Sequence, residues 1–245
     1  MKKLSVLILS LILLLSLCAC SGVDVDLTRK SNAYDGMVEI IQNQDKYEGK
    51  SIRLTATYTV TYSFAQNKLL RHNLTEDSET GASRAVQEIV TEDGRYPLPG
   101  TRVTAEGKIG DDNRLYITSF TDAVIDERSF DIDALDMRAE ELKDAITSFC
   151  KTYNASEIYG KRIRIFGHCI AKEGYYYLLG LDSNGAMTWT VELYDPRELI
   201  TVEETESTTV NPVEIVGELT LYTEDNLTYA CISVESIAFV DGQFS

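Results

Sequence analysis

The sequence is poor in histidine and lacks the usual catalytic motifs. Its 245 residues include two histidines, His72 and His168, too few for a histidine-rich metal centre. It has no G-x-S-x-G, P-loop or H-E-x-x-H segment. His168 adjoins Cys169, but successive residues of a strand face opposite sides, which argues against a nucleophile and its base. We therefore expect no catalytic residue, no metal and no cofactor, and we expect that the protein is not an enzyme.

Basic residues are also scarce. The chain has 23 lysines and arginines against 39 aspartates and glutamates, which gives a formal net charge of -16. Proteins bind nucleic acids largely through clustered lysines and arginines that displace counterions from phosphates. The sequence has no such cluster, so we expect no nucleic-acid partner.

Cysteine is too rare for a disulfide scaffold. Of five cysteines, two lie near the N-terminus and three, Cys150, Cys169 and Cys231, lie in the second half. An odd number leaves at least one free thiol. Two interpretations stay open: three buried thiols that act as small hydrophobic side chains, or a Cys169–Cys231 bridge between neighbouring strands.

Long apolar runs are absent beyond the N-terminus. Lys2 and Lys3 precede a 13-residue apolar stretch, 5–17, which is shorter than the roughly 20 residues that cross a membrane as a helix. This order is typical of a secretory signal, and no later segment is apolar enough to span a membrane. The chain is therefore expected to act outside the cytoplasm.

The end of this signal resembles the bacterial lipobox. Leu17, Ala19, Cys20 and Ser21 stand in the order that the lipobox requires, and a plain secretory signal is the alternative. The resemblance implies that residues 1–19 are a lipoprotein signal peptide and that Cys20 carries a diacylglyceryl group. Two acyl chains hold a protein firmly to a bilayer, so we expect a lipid-anchored protein on the extracytoplasmic face of the cell membrane.

The remainder contains two copies of one pattern. The segment 43–60, NQDKYEGKSIRLTATYTV, is echoed 111 residues later by 154–171, NASEIYGKRIRIFGHCIA. Three further pairs follow in the same order, among them 100–109 against 211–219. We interpret residues 20–33 as a tether, 34–126 as a first domain, and 127–245 as a helix plus a second domain.

Within each copy, alternating apolar residues predict strands. Ile52, Leu54 and Ala56 fall on one side of the first strand, and Gly107 and Gly217 interrupt later strands, which favours bulges there. In the second copy we expect five strands, starting near Arg162, Tyr175, Thr188, Val213 and Thr228. A helix should precede each copy, through Met37, Ile40 and Ile41 in the first and through Leu142, Ile146, Phe149 and Tyr153, from near Asp133 or Asp136, in the second.

Four features follow one another in the sequence: GK-x-[IV]-x-[IL]-x-[AG], a tyrosine-rich strand, GA…E and [VI]-x-[AV]-x-G. This order resembles that of the OB-fold modules of Gram-positive bacterial lipoproteins. Those modules are similar to anticodon-binding-type OB-folds. The second copy carries the likeness best, because the first has LLRHNLTEDSE in place of the tyrosine-rich strand. The resemblance implies a mainly β chain with two tandem OB-fold-like five-stranded barrels, each preceded by a helix. It concerns fold and not chemistry.

One face of the second copy suggests a ligand site. Tyr175 and Tyr177 share a side of one predicted strand, and Trp189 and Glu192 lie on the next. The second and third strands of OB-folds commonly bind ligands, and exposed aromatic rings stack on sugars or bases. Packing in the core or at the barrel end is the alternative interpretation for these rings.

Three functions remain open. The first is a non-catalytic module that binds an unknown protein or envelope ligand, and this is the function we expect. The second is a carbohydrate or small-ligand binder that uses Tyr175, Tyr177, Trp189 and Glu192. The third, an envelope hydrolase, is disfavoured by the scarcity of histidine and the lack of a nucleophile motif.

Overall fold

The computed structural model is mainly β and describes residues 22–151, 158–202 and 211–243. In these ranges, one sheet consists of β1 (Val25–Leu27), β2 (Ser51–Ser63), β3 (Lys68–Asp77), β4 (Arg84–Thr91), β5 (Arg102–Ile109), β6 (Leu115–Thr121) and β13 (Asp241–Gln243). The other consists of β7 (Ile132–Asp133), β8 (Arg162–Lys172), β9 (Tyr175–Leu181), β10 (Met187–Tyr194), β11 (Asn211–Glu224) and β12 (Leu227–Phe239). The helices are α1 (Lys30–Gln42), α2 (Gln44–Tyr47) and α3 (Ala139–Lys151), with a short 3-10 helix at Ala134–Asp136.

The first sheet closes into a five-stranded barrel. Its strands pair in the order β2-β3-β4-β6-β5, and β5 pairs again with β2. The long strand β2 makes closure possible, because its first half pairs with β5 and its second half with β3. β1 adds to β2 in parallel, so part of the segment 20–33 that we expected to be a tether is a strand of this sheet.

The strands of the second sheet pair in a corresponding order. β8, β9, β10, β12 and β11 are neighbours in that sequence, and β11 also pairs with β8. Each sheet contains one parallel contact among these strands, β4 with β6 and β10 with β12. The strands of the second half begin within two residues of their predicted starts.

Two glycines interrupt equivalent strands as predicted. The pairing register shifts between Glu106 and Gly107 and again between Val216 and Gly217. A Cβ atom on either glycine would stand 2.3 Å from a backbone oxygen of the neighbouring strand. The bulges therefore require glycine because two backbones approach closely there.

The predicted helices precede the first long strand of each sheet, α1 before β2 and α3 before β8. Met37 and Ile40 of α1 are buried, as are Leu142, Ile146 and Phe149 of α3. The second helix starts later than expected because the side chain of Asp133 accepts from the amide of Leu135 and supports the 3-10 turn instead; Tyr153 lies outside the described residues. No helix among the described residues is both long and apolar enough to cross a bilayer.

The cysteines of the second half are free thiols. Cys169 and Cys231 are fully buried and Cys150 is half-buried, without a Cys169–Cys231 bridge. Burial raises the pKa of the Cys169 and Cys231 thiols to about 12. These side chains therefore stay protonated and pack as small hydrophobic groups.

Aromatic rings from both halves meet in one junction. Tyr62 of β2 stacks on Phe166 of β8 at 4.4 Å between ring centroids, and Phe64 lies 4.1 Å from the ring of His168. The hydroxyl of Tyr62 donates to Asn67, whose amide donates to the carbonyl oxygens of Ala134 and Met137. β13, at the end of the second half, pairs with β2, so the two halves form one packed body.

A charged cluster lies beside this junction. Arg128 donates to Glu214, at 2.6 Å, and to both carboxylate oxygens of Asp126. Glu214 is 2% exposed, and this burial raises its pKa although Arg128 opposes the shift. Burial also acts to raise the pKa of Asp126, but the hydrogen bonds and charge of Arg128 prevail and lower it.

We predict that Arg128→Leu lowers the free energy of unfolding by about 3–5 kcal/mol at pH 7, because it leaves Glu214 charged and buried without its partner. A carboxyl group with a raised folded-state pKa destabilises the fold as the pH rises, so the loss should shrink as the pH falls toward 5. Urea unfolding at several pH values measures this.

Two further variants sharpen this test. Adding Glu214→Gln to Arg128→Leu should recover much of the loss at pH 7, because the neutral amide has no charge to desolvate. Arg138→Leu is the matched control, since Arg138 pairs with Glu141 on the surface and should matter little. A loss that is the same at every pH would contradict the assignment of the cost to Glu214.

Candidate ligand-binding surface

Three of the four residues nominated from the sequence share the outer face of the second sheet. Tyr175 and Tyr177 lie on β9, and Glu192 on β10 is the cross-strand partner of Tyr177. Tyr175 is 39% exposed, and Tyr177 and Glu192 are half-buried. Partners opposite each other in an antiparallel pair project to the same side, so these side chains form a contiguous patch.

Trp189 lies on the opposite, inner face, and its predicted place on the exposed face is wrong. It is 8% exposed and belongs to the core of the second sheet. The indole packs over Gly180, where a Cβ atom would stand 2.1 Å from the ring nitrogen. The alternation of Trp189 with Val191 and Leu193 already indicates this inward orientation, because all three occupy the same row of the strand.

Three more tyrosines extend the outer patch. Tyr194 of β10 stacks on Tyr222 of β11, with 6.2 Å between centroids, and Tyr222 stacks on Tyr229 of β12 at 5.2 Å. Tyr194 is 49% exposed. We call this patch the tyrosine surface; its members are Tyr175, Tyr177, Glu192, Tyr194, Tyr222, Glu224 and Tyr229.

Sequence reasoning missed these additional residues, although two signals were available. Tyr194 follows Glu192 by two positions and therefore shares its face. Tyr222 and Tyr229 lie symmetrically about the turn at 225–226, so a hairpin there sets them opposite each other, as observed. Their nearness to β9 and β10 could not be predicted, because it depends on the order in which the strands pair.

Two carboxylates orient the phenol groups. Tyr222 donates its hydroxyl hydrogen to Glu192, and Tyr175 donates to Glu224 at 3.0 Å. The bond to Glu224 raises the pKa of Tyr175, and burial, followed by the bond to Glu192, raises that of Tyr222. Burial, and then the charge of Glu192, raises the pKa of Tyr177. These phenols therefore remain protonated hydrogen-bond donors at neutral pH.

His168 is buried and His72 is half-buried. Burial lowers the pKa of both His72 and His168 to about 4. His72 is hydrogen-bonded to Tyr58 and stacked on Tyr96, and His168 packs under Phe64. Across the part of the chain that the structure describes, no three His, Cys, Asp or Glu side chains converge as a metal site.

A cleft of about 1150 Å³ lies between the first barrel and the end of β12. Both arginines that line it are paired with carboxylates. Arg84 pairs with Asp77 at 2.7 Å and with Asp241 at 3.3 Å, and Arg102 pairs with the buried Glu76 at 2.7 Å. A charged ligand would have to compete with these pairs, whereas the tyrosine surface offers rings directly to solvent.

No protein-family model matches the chain, and comparison with curated proteins gives no match. Its function is therefore inferred from the geometry of its own residues.

We predict that Gly180→Ala displaces Trp189 and costs about 1–3 kcal/mol in the free energy of unfolding, because the added methyl group overpacks the indole. Trp189 is the sole tryptophan, so its fluorescence emission reports the change and should shift to longer wavelength.

Gly94→Ala is the control for this prediction. Gly94 has a positive φ of 68° and open space around it, so the variant should lose about 1 kcal/mol through backbone strain. Its emission should remain that of the original protein. Unchanged emission in Gly180→Ala would contradict the described position of Trp189.

Proposed function

We propose that this chain is an extracytoplasmic, membrane-anchored lipoprotein that acts as a non-catalytic binding module. The tyrosine surface carries the proposal, because five tyrosines from four strands face solvent beside two carboxylates. Tyrosine combines a large apolar ring with a polar tip and is enriched where proteins recognise ligands. The partner in this proposal is a protein or another component of the cell envelope, not a nucleic acid.

We further propose that both sheets are OB-type domains in tandem. The corresponding pairing orders support this, including one parallel contact in each sheet and the return of a late strand to the first. The 111-residue spacing and the bulges at Gly107 and Gly217 agree with it. In such a domain β9 and β10 are the second and third strands, which form the usual ligand face.

The anchor proposal depends on the sequence before the first sheet. Cys20 lies outside the described residues, so the anchor proposal is supported by the lipobox resemblance of the sequence. β1 begins at Val25, and five residues of extended chain reach about 17 Å. An acyl group on Cys20 would therefore hold the first barrel close to the membrane surface, with β13 and the junction linking the second sheet to it.

One experiment tests the anchor and the binding face together. Expressed with its own signal in a Gram-positive bacterium, the chain should fractionate with membranes and be digested by protease added outside the cell. Cys20→Ser should be released from the membrane, because it lacks the sulfur that accepts the diacylglyceryl group. An intracellular, unacylated chain would contradict the proposal.

The soluble Cys20→Ser protein then reports binding through sedimentation with isolated cell envelopes. Adding Tyr194→Ser should weaken the apparent affinity about tenfold, the value of one stacked aromatic ring. Tyr116→Ser is the matched control, because Tyr116 is likewise an exposed strand tyrosine, 37% exposed, but lies on the first barrel, where it donates to Asp112. Equal sedimentation of all three proteins would reject the tyrosine surface as the binding face.

A further inference from the structure

The tyrosine surface has the chemistry of a carbohydrate site, and this inference rests on the proposed binding function. Its most exposed rings, Tyr175 and Tyr194, offer apolar area on which the C–H face of a sugar ring can pack. The rings of Tyr194 and Tyr222 are inclined by only 15°, and those of Tyr222 and Tyr229 by 23°. Rings stacked in this way cover one another's faces, so Tyr194, at one end of the row and 49% exposed, is the member of the stack that offers most ring area to a sugar.

The two carboxylates supply acceptors beside the rings. The Tyr222 phenol contacts Oε1 of Glu192, and the Tyr175 phenol contacts Oε2 of Glu224. Each carboxylate has a second oxygen, and a carboxylate can accept several hydrogen bonds. Sugar hydroxyl groups are suitable donors, and bonds to a charged acceptor are stronger than neutral ones.

Charge selects among carbohydrates. The tyrosine surface contains Glu192 and Glu224, and the chain has a formal net charge of -16. A cation beside it is Lys172, the cross-strand partner of Tyr175, whose ammonium group lies 4.0 Å from the carboxylate of Glu173. Polyanions such as uronate, sulfated or phosphate-linked polymers would be repelled. We propose that the tyrosine surface binds an uncharged polysaccharide, whose hydroxyl groups meet the carboxylates and whose ring faces pack on Tyr175 and Tyr194.

The surface fits a polysaccharide better than a protein partner. Protein interfaces carry a desolvated apolar centre, whereas the phenols and carboxylates here are hydrogen-bonded to one another across the middle of the patch. The exposed Leu227 lies at the tip of the adjoining hairpin, and the half-buried Ile170 is the cross-strand partner of Tyr177. A hydroxyl-rich ligand can join this polar network without leaving buried donors unpaired.

A binding array tests the proposal. It carries uncharged oligosaccharides, uronate and sulfated oligosaccharides of matched length, and single-stranded DNA. The probe protein is the full chain released by Cys20→Ser. Uncharged glycans should bind, and calorimetry should find their affinity nearly independent of salt because no ion pair forms. Binding only to the anionic oligosaccharides or the DNA, or to no uncharged glycan, would overturn the assignment.

Variants separate the surface from the rest of the chain. Tyr175→Ser and Tyr194→Ser should each weaken binding of the best uncharged glycan about tenfold, while Tyr116→Ser leaves it unchanged. Both substituted tyrosines are substantially exposed, so these variants should fold; thermal unfolding checks this. Equal weakening by Tyr116→Ser would place the glycan elsewhere and reject the proposal.

Comparison with envelope sedimentation distinguishes the two proposals. If Tyr194→Ser weakens sedimentation with envelopes but no uncharged glycan binds, the carbohydrate class is wrong and the binding module stands. If an uncharged glycan binds in a Tyr194-dependent way but sedimentation is unaffected, the carbohydrate site stands and the envelope partner is wrong.

Discussion

The stack of Tyr62 on Phe166 is the contact on which the arrangement of this chain depends. Phe166 belongs by sequence to the second half, yet it lies in the hydrophobic core of the first barrel, together with Val240. The amide of Asn67 ties the same strand end to the connection before α3. Because one cluster buries side chains from both halves, the halves cannot separate without exposing apolar surface to water.

This junction also explains the buried charges. Glu214 and Arg128 lie where the second sheet meets the connection between the halves, and each is hydrogen-bonded by the other. A buried ion pair costs desolvation free energy and adds little net stability, but removing one partner strongly lowers the free energy of unfolding. The pair therefore acts mainly as a constraint on how the two halves fit together.

The tyrosine surface follows from strand alternation combined with pairing order. On β10, odd positions from Trp189 to Leu193 face the core, so Glu192 and Tyr194 face out. β12 then sets its outer row beside β10 in parallel, with Cys231 opposite Glu192. Tyr222 reaches across the fully buried Cys231 to Glu192, which joins the hairpin of β11 and β12 to the face formed by β9 and β10.

Local features of the fold could be predicted from the sequence, whereas long-range features could not. The alternation of apolar and polar residues predicts the strands, and glycines at equivalent positions, Gly107 and Gly217, predict the two bulges. Both features are encoded within a few residues of sequence. The inward position of Trp189 was equally available from alternation. The Tyr62–Phe166 stack, the addition of β13 to β2 and the approach of Tyr222 to Glu192 join residues far apart in the chain, and no local pattern specifies such pairs.

The proposed function requires that ligand binds the outer face of the second sheet. The most direct measurement is fluorine NMR of the chain labelled with 3-fluorotyrosine, with signals assigned by single tyrosine substitutions, during titration with solubilised envelope fragments. If ligand binds there, the signals of Tyr175 and Tyr194 shift or broaden first, while those of Tyr116 and the buried Tyr58 stay unchanged. Changes confined to Tyr116, or to tyrosines of the first barrel, would contradict it.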